Sequence, residues 1–204
     1  MRLINNSIST AGVTLGAFAL LSVILLGSIQ WLTKDNIAEN ARQRNLLKLH
    51  EIIAPNAYDN DLLGSKTEKK VSVAGLAGIL PFYTAHLKNN EVARIYSVRS
   101  LEGYSGAIDL LIGINSEDQR LLGVRVTSHK ETPGLGDKIE TSKSDWIFQF
   151  EGKSLNLPTS KQWKVKKDGG VFDQFTGATI TPRAVVNAVR ETLKLTMQEQ
   201  AENE

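Results

Sequence analysis

The longest apolar run lies at the start of the chain. From Leu3 to Thr33 no side chain is charged, and residues 11–32 read AGVTLGAFALLSVILLGSIQWL. As a helix this run rises about 33 Å, enough to cross a hydrocarbon core of roughly 30 Å. Trp31 closes it, where an amphipathic ring suits the headgroup region. The pattern predicts a short tail at 1–10 and one transmembrane helix at 11–32. A cleaved signal peptide would have an apolar core of only ~7–15 residues and a small-x-small site, which Leu26-Gly27-Ser28 matches poorly. Residues 35–53 lack Gly and Pro and are rich in helix formers until Pro55-Asn56 stops them. They predict a helical stalk at 33–55 ahead of a domain at 56–204.

Within that domain, residues 60–70 are polar and predict a loop. Residues 91–98 (EVARIYSV) predict a strand. Ile108, Leu110, Ile112 and Ile114 alternate with their neighbours, as do Leu122, Val124 and Val126. With a polar turn at 115–120 they predict an antiparallel hairpin over 108–126. Residues 144–150 predict a short helix capped by Ser144, and 161–166 a strand. Thr181-Pro182 places a capping hydroxyl before a proline at the first helical position. Val185, Val186, Val189, Leu193 and Thr196 then continue at helical spacing to about Gln198. Strands between flanking helices predict an α+β domain with an antiparallel sheet.

Charge and composition narrow the chemistry. The chain has 204 residues, 24 Lys+Arg, 22 Asp+Glu and no Cys. All the acids and all but one of the bases lie beyond residue 33, so the outer domain is nearly neutral. That balance gives no reason to expect a nucleic-acid partner. Without cysteine there is no disulfide, thiolate nucleophile or Cys-ligated cluster. His50, His86 and His129 lack metal-ligand spacing, and no metal is expected in the chain. Positive-inside counting leaves the orientation open, with Arg2 before the apolar run and Lys34, Arg42, Arg44 and Lys48 after it.

Residues 173–182 (DQFTGATITP) carry the clearest chemical signal. Thr176, Thr179 and Thr181 surround Gly177-Ala178 at a helix start, where free N–H groups and the positive dipole end favour an anion. The same residues also suit a plain Thr-rich cap. Glu131-Thr132-Pro133-Gly134-Leu135-Gly136 predicts a rigid loop, and Gly103-Tyr104-Ser105-Gly106 a turn before the hairpin. Lys164, Lys166 and Lys167 read as a solvated face, His129 as a loop hydrogen-bonder, and Phe172 and Phe175 as the aromatics nearest the 176–181 turn.

Asp173-x-x-Thr-Gly-Ala-Thr179 resembles the flavinylation motif of FMN-binding domains in ion-pumping respiratory complexes. The Pro133 loop is similar to that family's second signature, and Gly103–Gly106 to its Gly-Tyr-Gly-Gly turn, with Ser105 departing at the third position. In this order, behind one apolar helix, the motifs resemble the G subunits of Rnf (Rsx) electron-transport complexes over nearly the whole chain. The related C subunits of sodium-translocating NADH:quinone reductases share the motif, and a non-redox, membrane-anchored assembly module is the bland alternative.

The resemblance implies an electron-relay subunit that carries FMN, joined through its phosphate to Thr179. It implies Tyr104, the 131–136 loop, Thr176, Gly177, Ala178 and Thr181 as cofactor-binding residues. Asp173 would help a separate flavin transferase to recognise the site. It further implies membrane and iron–sulfur partner subunits, an inner-membrane location with the domain in the periplasm, contact with membrane lipid, and no catalytic turnover by this chain alone.

Overall fold

The computed structural model describes residues 2–73 and 75–203. The chain divides into two units, 1–45 and 46–204. The first consists of most of helix α1 (Arg2–His50), and the last turn of α1 opens the second unit. Gly12–Leu32 has a mean hydropathy of 2.2 and none of it is buried within the chain, so it is long and apolar enough to cross a membrane. Val13, Leu15, Phe18 and Leu21 are all more than 60 % exposed, a surface that water solvates poorly and lipid tails cover well.

The second unit is built on an antiparallel meander, β1 (Thr67–Lys70), β2 (Ile79–Leu87), β3 (Asn90–Ser100), β4 (Ile108–Asn115) and β5 (Leu121–Ser128), hydrogen-bonded in chain order. Helix α2 (Ile180–Asn203) packs against the sheet. The alternation along β4 explains the layering. Ile108, Leu110, Ile112 and Ile114 join the core shared with Val185, Val186, Val189 and Leu193 of α2. Leu111 turns the other way, into a second cluster with Leu49, Ile52, Ile53 and Ile95. Each such buried side chain contributes on the order of 1.5–3 kcal/mol. Gly113 completes the second face, because a Cβ there would lie 2.2 Å from Ile52 Cγ2.

Several sequence-based expectations are met. The strand at 91–98 is the core of β3, and the hairpin is β4–β5 with residues 116–120 turning between them. Ser144 caps a 3-10 helix at Asp145–Phe150, its hydroxyl oxygen accepting from the Trp146 N–H.

Others are corrected. Residues 67–70 form edge strand β1 rather than loop, held by main-chain pairing to β2 while all four side chains face solvent. Residues 161–166 are not a strand: two 3-10 turns, Ser160–Gln162 and Lys166–Asp168, flank a single parallel bridge between Val165 and Phe172. Their apolar residues serve a knot of rings instead, with Phe150, Trp163 and Phe172 mutually 4.8–6.3 Å apart and fully buried. Helix α2 begins at Ile180, so Pro182 is the third helical residue, and the helix runs past Gln198 to Asn203.

Candidate functional site

The residues before α2 fold into a tight turn. The Ala178 N–H donates to the Phe175 carbonyl at 3.1 Å, and Gly177 has φ of 80°. That is the positive dihedral which the third residue of a type II turn requires, at low cost only for glycine. Behind the turn, Phe175 is buried and packs edge-on against Trp146 at 5.2 Å. The Trp146 indole N–H donates to the Asp173 carbonyl at 2.8 Å. The turn is thus fixed to the domain while its tip stays exposed.

The tip leads into the helix through Thr179. Its carbonyl accepts the Arg183 N–H at 3.3 Å, the first bond of the α2 ladder, so Thr179 occupies the N-cap position. Thr181, assigned the cap from sequence, is buried, and its hydroxyl donates to Glu131 Oε2 in a short hydrogen bond. The two helical residues before Pro182 therefore move the capping position from Thr181 to Thr179. The ionic pair of Arg183 with Asp168, 2.6 and 2.9 Å in bidentate geometry, ties the same first turn to the Lys166–Asp168 turn. It holds the Asp168 carboxyl below its ordinary range.

Glu131 is the junction of the three sequence signatures. It is 5 % exposed. Oε1 accepts the Ser105 N–H at 2.9 Å, while Oε2 accepts from Thr181. The Glu131 N–H donates to His129 Nδ1 at 3.0 Å, and the other ring nitrogen meets Glu140 at 2.6 Å. The bond from His129 lowers the Glu140 pKa below the usual carboxylate range. His129 is thus a loop hydrogen-bonder. Gly136 lets the loop close on Glu131, since a Cβ there would lie 2.8 Å from Glu131 Cβ and 2.9 Å from Thr181 Oγ1.

Around this junction lies a cavity of about 250 Å3 lined by Tyr104, Glu131, Thr132, Leu135, Gly136 and the segment 177–181. The fold therefore brings together residues up to 77 positions apart, from all three signatures. It does not bring in every predicted residue. Thr176 is exposed and outside the cavity, as are Pro133 and Gly134. Asp173 is at the surface, paired with Lys166 at 2.5 Å. Phe172 and Phe175 belong to the core rather than to the cavity wall. Lys164, Lys166 and Lys167 are solvent-exposed.

Sequence reasoning missed Ile180, which lines the cavity, and Asp137, a buried carboxylate whose Oδ1 has no hydrogen-bond partner. Asp137 directly follows the 131–136 loop, and no periodic signal marks it as buried.

The cavity fits one end of a flavin nucleotide. Free N–H groups in the first turn of α2 suit a phosphate. Pockets that enclose drug-sized ligands run to roughly 300–1,000 Å3, so this one leaves part of a fused ring at the surface. There, Tyr104, Leu135 and Ile180 are 68 %, 43 % and 43 % exposed, ready to contact a flat apolar face. Among the described residues, no cluster of His, Cys, Asp and Glu could hold a metal.

Comparison with known proteins accounts for these segments together. Residues 103–194 match the FMN-binding domain family, and residues 1–52 the RnfG N-terminal region. The G subunit of an ion-translocating oxidoreductase complex from Pseudomonas aeruginosa is 49 % identical over 181 residues, 88 % of this chain and 84 % of its own. The G subunit from Photorhabdus laumondii is 48 % identical over 183 residues, covering 89 % and 86 % of the two chains. That of Vibrio vulnificus is 44 % identical over 189 residues, covering 93 % and 89 %.

The chain belongs to the G-subunit family of ion-translocating oxidoreductase complexes. As a G subunit it has an FMN-binding domain that begins at Gly103, takes in the β4–β5 hairpin and the cavity, and ends within α2. The RnfG N-terminal region at 1–52 contains the apolar segment and the end of α1, consistent with membrane anchoring in a membrane-bound complex.

Proposed function

We propose that this chain is an electron-relay subunit whose FMN is esterified through its phosphate to Thr179. The observation that carries this is the place of Thr179, the one threonine of the motif that both lines the cavity and stands at the N-cap position of α2. Thr181 lines it too, but its hydroxyl is engaged by Glu131, and Thr176 is outside. Esterification leaves a phosphodiester with one negative charge beside the N–H groups and positive dipole end of α2. Bound flavin supplies the reversible uptake of electrons. The residues of the chain hold it: Thr179 tethers it, Gly177 allows close backbone approach, and Tyr104, Leu135 and Ile180 flank the ring.

The apolar segment serves as a retained anchor in the bacterial inner membrane, with the domain in the periplasm. Electrons then pass to and from other membrane and iron–sulfur subunits of the complex. Asp173, exposed on the approach to the turn, is a recognition point for the transferase that installs the flavin.

Material purified from native membranes tests the assignment. Its intact mass should exceed that of the polypeptide by one esterified FMN, and the denatured band should fluoresce in a gel. Thr179→Ala should lose both signals, whereas Thr176→Ala should keep them. Fluorescence surviving in Thr179→Ala would reject the site, and a colourless, unmodified wild-type chain would support a non-redox module. Protease added outside spheroplasts should digest the domain.

A further inference from the structure

Glu131 is unusual for a carboxylate at 5 % exposure, because no cation pairs with it among the described residues. Its oxygens are instead satisfied by two neutral donors, the Ser105 N–H and the Thr181 hydroxyl. Burial of an ionised group without a counter-charge is costly unless hydrogen bonds replace water. Here two donors from distant segments do so, and Gly136 leaves space for their approach. A carboxyl group held by two neutral donors therefore stands in the wall of the cavity that also contains Thr179.

We propose that Glu131 is a positioning and tuning residue, whose fixed charge lowers the reduction potential of a flavin bound in this cavity. This rests on the flavin reading above. Two-electron reduction of the isoalloxazine with uptake of one proton from solvent adds one negative charge to the ring. A carboxylate in the same partly desolvated cavity opposes that charge, and it acts through a lower effective dielectric than bulk water provides. The neighbouring His129 bonds to the Glu131 main-chain N–H and to Glu140.

Glu131→Gln separates charge from architecture. The amide oxygen can accept from Ser105 N–H, and the amide nitrogen can donate to the Thr181 hydroxyl, which is able to accept. Wild-type and Glu131→Gln proteins, matured in the native host and kept full-length in detergent, are titrated with dithionite in the presence of redox mediators. Intact mass is read on the same samples. Flavinylated Glu131→Gln should show a midpoint at least about 30 mV higher, a tenfold change in the two-electron equilibrium. Glu131→Asp, which keeps the charge, should stay nearer to wild type than Glu131→Gln does.

An unchanged or lower midpoint in Glu131→Gln overturns the proposal. So does a Glu131→Gln chain that takes no flavin while wild type does, because the charge would then act in loading rather than on the potential. Wild-type protein without flavin would instead refute the parent assignment, which the mass measurement reports separately.

Discussion

At Gly136 the missing side chain is a steric requirement. Any Cβ would meet Glu131 Cβ, Thr181 Oγ1 and Glu131 Oε2 at 2.8–3.0 Å, and two of these atoms form the short bond that closes the site. Gly136→Ala should therefore cost about 1–3 kcal/mol through overpacking. For a domain of this size that lowers the melting temperature by roughly 2–4 °C per kcal/mol, readable by circular dichroism. Gly134, outside the cavity wall and with open space where a Cβ would sit, should lose stability only through its positive φ.

Much of the site is legible in sequence at this scale because glycine and threonine announce turns and helix starts. The burial of Glu131 is not, since a charged residue beside Pro133-Gly134 reads as solvent-facing. Only the convergence of Ser105 and Thr181, 26 and 50 residues away, reverses that.

Among the elements, β3, β4 and β5 were readable because they are rich in apolar and β-branched residues, which supply the clusters on both faces of the sheet. Strand β1 was not, since its four exposed residues carry no hydrophobic period and its place is set by the main chain of β2. Residues 161–166 have strand-like composition, yet Trp163 and Val165 are committed to the aromatic knot and the backbone follows in short turns. Trp163→Ala should accordingly destabilise the domain by about 3–5 kcal/mol, measured by denaturant unfolding.

The elements are also joined by charge. Hydrogen bonds from Arg183 hold Asp168 below its ordinary pKa, and a bond from His129 does the same for Glu140. A carboxylate depressed in the folded state stabilises fully above its unfolded value, near 4, and that contribution vanishes as pH falls through the folded value. Melting temperature should thus drop on acidification below about pH 4.5. Asp168→Asn should flatten part of the slope, and high salt should blunt it because the pair is exposed.

For the whole molecule, the uncovered apolar surface of Gly12–Leu32 is the dominant physical fact outside the domain. Alkaline washing of native membranes should leave the chain in the pellet, and intact mass should retain residues 1–33. A mature form lacking them would make the segment a cleaved leader. An arginine in place of Leu21, mid-segment, should lower insertion by about 2.5–3.5 kcal/mol, read as the fraction recovered with membranes. The length and hydropathy of this segment are visible without any structure, whereas the helix beginning at Arg2 is not, because Asn5, Asn6 and Ser7 give no apolar period.

The cavity walls are drawn from a turn at Tyr104, a loop at 131–136 and the start of the final helix, and the last of these is also the last to leave a ribosome. An extended chain displays the Thr-Gly-Ala-Thr letters but no hollow around them. Any enzyme that needs both the letters and the hollow would pass over nascent or misfolded copies, so the label would double as a certificate of completed folding.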